Sequence, residues 1–256
     1  MHKKQALFIF LGMVAAGLLL AGSGYCAPVG NPADPVLLDG EYPTKFSLST
    51  DVVLKREMES ESSGDPDLKG TFYLSKISLY LGNKLDLYGI IGTYDGKITD
   101  FHSSKAYILD SKVGAMFGLG ASYVLREFEC MKGIMRLGAN AQYRQSNPDL
   151  DAVKYYRERV PTTQNDLSFK EWQVGLGLSY QYKSFVPYAG VKYSDVNSHI
   201  RFTHDSAQIS ENSLRSKNVI GVYAGTDFLL NDSVSFNIET RQLDEQAVNV
   251  GLNARF

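Results

Sequence analysis

Residues 169–182 read "FKEWQVGLGLSYQY", with Trp172, Val174, Leu176, Leu178, Tyr180 and Tyr182 on one parity and Glu171, Gln173, Gly175, Gly177, Ser179 and Gln181 on the other. Strict period two marks a strand with one apolar and one polar face. The run outlasts the ~5–6 residues of an ordinary globular strand. The chain ends the same way, in "VNVGLNARF", residues 248–256. There Val248, Val250, Leu252, Ala254 and Phe256 share a face against Asn249, Gly251, Asn253 and Arg255.

Carried along the chain, the pattern predicts ten strands, near 44–54, 70–82, 84–97, 110–126, 132–146, 168–182, 185–202, 215–229, 233–242 and 246–256. Their connections alternate in length. Short turns are predicted at Gly82 and Asn83, from Glu127 to Met131, at Lys183 and Ser184, and from Asn231 to Ser233; longer loops at 55–69, 98–109, 147–167 and 203–214. Lipid offers no hydrogen bonds, so an extended chain crosses it only as a closed sheet. Short turns on one side, long loops on the other and an even strand count fit a transmembrane antiparallel up-and-down β-barrel with both termini periplasmic. Phe46, Tyr123, Tyr143, Trp172, Tyr180, Tyr182, Phe185 and Tyr193 fall near strand ends, as interfacial aromatic girdles require. Lys170, just outside Trp172, can reach back to headgroups.

The start of the chain sets the compartment. Lys3 and Lys4 precede an apolar run from Ala6 to Ala21 and a small-residue exit, "AGSGYCA". That order is a secretory leader's, shorter than the ~20 apolar residues of a spanning helix, with cleavage expected between Gly24 and Ala27. The predicted divisions are a leader, 1–27, a Pro-rich periplasmic segment, 28–43, that either plugs the barrel or hangs free, and the barrel, 44–256. Loss of Lys3 and Lys4 takes the formal net charge from -2 to -4. A mildly acidic chain without basic clusters gives no reason to expect a nucleic-acid partner. Of two cysteines, Cys26 sits at the cleavage region and Cys130 in the body, so removal of Cys26 leaves no internal disulfide.

The inward faces carry whatever chemistry the barrel has. Alternation turns Arg136, Arg144, Glu171, Lys192, Asp227, Glu239, Arg241 and Arg255 into the lumen, with Asn140, Gln142 and Gln181, while Gly114, Gly118, Gly120, Gly138, Gly175 and Gly177 leave room. Mixed charges either cross-link the interior or line a narrow polar path. Ten strands lie nearer the filled eight-stranded barrels than the 16–18-stranded channels.

Two resemblances follow. The alternation ending in Phe256 resembles the terminal signal by which outer-membrane proteins engage the barrel-assembly machinery, which implies an assembly role for Val248, Val250, Leu252, Ala254 and Phe256. The segment "PVGNPADPVLLDG", residues 28–40, is similar to the opening of the mature chlamydial-type major outer membrane porin. That resemblance implies an outer-membrane address and a porin lineage.

The functional expectation is a non-enzymatic outer-membrane β-barrel, porin-like or structural, in contact with outer-membrane lipids and lipopolysaccharide. Its oligomeric state is open, and no motif calls for a cofactor. Glu57, Glu59, Glu61, Asp65 and Asp67 lack the ordered spacing of a calcium loop and read as a solvated acidic loop. Asp149, Asp151, Arg157 and Arg159 could meet lipopolysaccharide phosphates. The alternative is a hydrolase, protease or lipid hydrolase, with His204, Asp205 and loop 147–167, or His102 and Ser103, at the outer rim.

Overall fold

The computed structural model describes residues 28–38, 43–60, 65–82, 84–102, 105–155, 158–160, 162–204 and 208–256. Among them are fourteen strands and one short 3-10 turn, Asp34–Val36. Ten strands form the wall. They are β1 (Thr44–Ser60), β2 (Asp67–Leu81), β3 (Leu85–His102), β5 (Gly114–Cys130), β6 (Gly133–Ser146), β9 (Thr162–Gln181), β10 (Phe185–His204), β12 (Ile220–Asn231), β13 (Val234–Gln242) and β14 (Gln246–Arg255). Each pairs antiparallel with the next. Pairing of β1 with β14, from Lys45 opposite Arg255 to Lys55 opposite Gln246, closes the ring.

Four further strands, β4 (Lys105–Ser111), β7 (Leu150–Tyr155), β8 (Glu158–Val160) and β11 (Gln208–Ser216), lie where long loops are expected. Here the structure corrects the sequence reading. Loop 55–69 is largely strand, since β1 runs to Ser60 and β2 starts at Asp67; 98–109, 147–167 and 203–214 are likewise mostly paired backbone. The turn expected from Glu127 to Met131 is tighter, because β5 runs to Cys130 and the chain reverses at Met131, with φ 55°, and Lys132.

A reversal of polarity along the strands explains the extra length. Near the short turns, apolar residues face outward and polar ones inward. On β9, Trp172, Val174, Leu176 and Leu178 are exposed while Glu171, Gln173 and Ser179 are buried. Past Lys170 the faces swap, and Leu167 and Phe169 point inward. On β10 the same switch separates exposed Val191 and Tyr193 from buried Val196 and Ile200; on β2 it separates exposed Ile77, Leu79 and Leu81 from buried Leu68 and Phe72. The first arrangement suits lipid outside and a polar lumen; the second suits water outside and an apolar core. β9 and β10, 20 residues each, are about twice the ~9–11 residues a spanning strand needs.

Aromatic residues mark both edges of the lipid band. At the loop-side edge, Trp172 lies in register with Tyr143, and its ring centroid is 5.7 Å from that of Tyr193. At the turn-side edge, Phe185 packs on Phe228 at 5.5 Å, and Tyr182 and Phe256 are exposed. Tyr182, one residue past the end of β9, lies ten residues from Trp172. At ~3.3 Å per residue and a tilt of ~40°, that is about 25 Å, the height of an outer-membrane apolar band.

Trp172 is the one tryptophan of the chain, so its depth is measurable. In vesicles with brominated acyl chains, its fluorescence is expected to be quenched more by bromines near the headgroup than by bromines at the bilayer centre.

Candidate functional site

The lumen is the only candidate site that the described residues build, and it is filled in three layers. The layer nearest the short turns is the chain's own segment, residues 28–38, folded into the barrel. Its backbone donors go to a wall carboxylate: the Val29 and Gly30 N–H groups donate to Glu239 Oε1 and Oε2, each at 2.8 Å. Gln142 Nε2 donates to the Pro28 carbonyl at 2.8 Å, and Asn140 donates to that of Val29. Asn31 Nδ2 donates to Asp227 Oδ2 at 2.8 Å, and Arg255 Nη1 to the Leu38 carbonyl at 2.6 Å.

Charge also holds the segment. Asp34 pairs with Lys45 at 2.9 Å and with Lys76 at 3.0 Å, and Lys45 also reaches Asp86 at 2.7 Å. Burial alone would raise the Asp34 carboxyl, but the two ammonium groups outweigh it and hold the carboxyl well below the usual carboxylate range. Wall glycines make room. A Cβ on Gly138 would meet the Pro32 carbonyl at 2.1 Å, and one on Gly175 would meet Val29 Cγ1 at 2.6 Å. Beside the segment remains a cavity of about 70 Å³ of mixed lining, with Asn31, Lys76, Asp227 and Asn237 beside Leu74 and Ile90, space for a few waters.

The middle layer is ionic. Arg241 reaches Asp51 at 2.6 Å, Glu245 at 2.7 Å and Glu239 at 3.3 Å. Lys192 pairs with Asp244 at 3.0 Å and with Glu245. Arg144 pairs with Glu171 through Nε, and Arg56 approaches Glu171 at 3.7 Å while donating to Ser216 Oγ at 2.7 Å and the Ser194 carbonyl at 2.9 Å. All these charged side chains are at most 1% exposed.

The third layer is apolar. The Arg144 guanidinium lies 4.1 Å above the Phe72 ring centroid, which stacks on Tyr94 at 4.8 Å, and Tyr94 stacks on Phe169 at 5.3 Å. Around them Met58, Leu68, Ile98, Met116, Leu150 and Ile200 complete one continuous cluster.

All eight charged residues that alternation turns inward are buried. Arg144, Glu171, Lys192, Glu239 and Arg241 join the ionic layer; Asp227 and Arg255 grip the N-terminal segment. Arg136 stands apart at the turn-side rim, 3.0 Å from Glu127. Alternation did not single out Asp51, Arg56, Asp244 and Glu245 in the ionic layer, nor Lys45, Lys76 and Asp86 below it. Asp51 and Lys45 share the inward parity of β1; Arg56 does not, because a register shift between Val53 and Arg56 changes which residues point inward.

No group of three or more metal-ligating side chains gathers among the described residues. Glu57 and Asp67 pair with Lys55, and Asp65 with Lys217. Cys130 is a free thiol. Asp205, Ser103, Arg157, Glu61 and Cys26 lie outside the described residues, and the side chains of His204, His102 and Arg159 are likewise not described.

Comparison with known proteins finds similarity to outer-membrane porins. Residues 157–210 match the family described as Chlamydia major outer membrane protein. The major outer membrane porin, serovar H, of Chlamydia trachomatis is 24% identical over 249 residues, covering 67% of this chain and 61% of that protein. The serovar B porin is 25% identical over 198 residues, covering 50% of this chain and 49% of that one. The chain thus spans about half to three fifths of the length of these relatives. Among solved structures, the outer membrane protease OmpT from Escherichia coli gives a TM-score of 0.45 at 11% identity, covering 86% of this chain and 96% of that chain. The transport unit of the autotransporter AIDA-I from Escherichia coli gives 0.42 at 13%, covering 96% and 98%. The protein is an outer-membrane β-barrel, similar to the chlamydial porins, and its apolar band contacts the lipids of that membrane.

Arg241 ties three carboxylates together. Arg241→Met is expected to lower unfolding stability in detergent by ~3–5 kcal/mol, read from denaturant titration, because it leaves buried carboxylates uncompensated.

Proposed function

We propose that the protein is a porin-related barrel held closed, a non-enzymatic structural component of the outer membrane that displays a compact β cap at the cell surface. The observation that carries this reading is the continuous filling of the lumen by segment 28–38, the ionic layer and the Phe72–Tyr94–Phe169 stack. An apolar constriction sheds water, and hydrated ions do not cross it. Ion pairs below it serve as cross-links, since Arg241 and Lys192 are already engaged by carboxylates. The similarity to proteins named porins supports the lineage, while the packing supports closure.

Assembly and surface contacts belong to the same reading. The final strand carries Val248, Val250, Leu252, Ala254 and Phe256 on the parity opposite to buried Ala247 and Asn249, and the Phe256 N–H donates to the Thr44 carbonyl at 3.3 Å at the closing seam. That edge is the part offered to the barrel-assembly machinery. Lipopolysaccharide meets the barrel above Trp172, where exposed Lys170 and Arg215 occupy neighbouring outward positions, each opposite Asn197.

Two measurements test these points. Refolded protein in a planar bilayer is expected to give no conductance steps; regular steps from the intact barrel would refute closure. Phe256→Ala is expected to reduce several-fold the heat-modifiable protein recovered from outer membranes, leaving the thermal midpoint of the barrels that do fold nearly unchanged.

A further inference from the structure

We propose that lipopolysaccharide binds the barrel at one discrete site, where a lipid phosphate sits over Asn197 between the side chains of Lys170 and Arg215 and ties β9 to β11. The proposal rests on the reading that lipopolysaccharide meets the barrel above Trp172, and adds to it a single seat and the donors that fill it.

The strand register assembles the site. Asn197 on β10 faces Lys170 of β9 on one side and Arg215 of β11 on the other. Opposite residues of antiparallel strands have Cα atoms ~4.5–5.5 Å apart, so Lys170 and Arg215 stand roughly 10 Å apart across one short amide. All three side chains point outward. They are exposed, while Phe169, Val196, Ser198, Leu214 and Ser216 beside them in sequence are buried.

The height suits a headgroup. Lys170 is two residues beyond Trp172, and Asn197 two beyond Asp195, the residue opposite Trp172. At ~3.3 Å per residue and a tilt of ~40°, the row lies about 5 Å above the aromatic edge. Below it come the Trp172 and Tyr193 rings, then exposed Val174, Leu176 and Val191. A glycolipid with its acyl chains on the apolar band therefore brings its phosphates to the level of the donors.

The protein leaves those donors available. Among the described residues, the side chains of Lys170 and Asn197 have no hydrogen-bond or ion-pair partner, and Arg215, 61% exposed, has only Asp195, at 3.5 Å. An exposed pair at that distance holds the guanidinium weakly. By contrast, Lys55 pairs with Glu57, Lys97 with Asp110, Lys112 with Asp149 and Lys217 with Asp65. A guanidinium grips phosphate through two parallel N–H donors and an ammonium adds a point charge. The bridge would also matter to the cap, because β11 pairs with β10 along eight residues but with β1 along only three.

The test is native mass spectrometry of the mature protein refolded in detergent and titrated with bisphosphorylated lipid A. One saturable adduct is expected. Lys170→Gln combined with Arg215→Gln should weaken it at least roughly tenfold. Lys97→Gln, an equal type of charge loss away from the site, should leave it unchanged, and lipid A stripped of phosphate should bind both proteins equally weakly. Lipid A should raise the thermal midpoint of the unaltered protein and not that of the double variant, whose midpoint in lipid-free detergent should match the unaltered one. Equal affinity of the two proteins, with phosphate still required, would overturn this site and leave the contact with lipopolysaccharide standing. No adduct with the unaltered protein would overturn both. Phosphatidylglycerol bound as tightly as lipid A would overturn the choice of lipopolysaccharide in favour of any phospholipid phosphate.

Discussion

A β-sheet in lipid must leave no backbone amide without a partner, and here that requirement is met at the seam between the first and last wall strands. Pairing from Lys45 opposite Arg255 to Lys55 opposite Gln246 turns a ten-stranded sheet into a ring without edges. Everything else inherits that closure. Once the ring exists, alternate residues are forced inward, and the inside must be filled by something that satisfies them.

The filling solves this differently at each depth. Near the short turns the wall is polar, and the chain supplies peptide groups: segment 28–38 has few side-chain charges but many donors and acceptors, and Glu239, Asp227, Gln142 and Arg255 use them. In the middle, charges satisfy one another. Beyond the lipid the wall stands in water on its outer side, and the apolar residues that faced lipid below move inside as Leu68, Phe72, Leu167, Phe169, Val196 and Ile200. A single strand thus obeys two solvent regimes, with the changeover near Lys170 on β9 and between Tyr193 and Val196 on β10.

That changeover also explains what could be read from the sequence. Period two located all ten wall strands, because the lipid-facing parity of stretches such as 169–182 and 248–256 is continuous. It failed above the lipid, where the parity of apolar residues inverts and the strands look like irregular polar loops. It also failed at Arg56 and Met58, which a bulge after Val53 turns inward on the other parity. The plug segment follows no period. Its Pro and Gly residues, including Gly30 at φ +81°, give an irregular path whose destination is fixed only by partners more than a hundred residues away, Gln142, Asp227 and Glu239.

The strand β11 pairs with β10 on one side and with the end of β1 on the other, above the tight hairpin of β13 and β14. One strand therefore stands over three, β12, β13 and β14, while β4 and β7 take over from β5 and β6 beyond the membrane edge. On the β11 side the wall beyond the lipid band is therefore carried by fewer strands, and a bore narrows as its strand count falls. The stopper of aromatic and aliphatic residues lies at that long-loop end, where the wall has less width to fill.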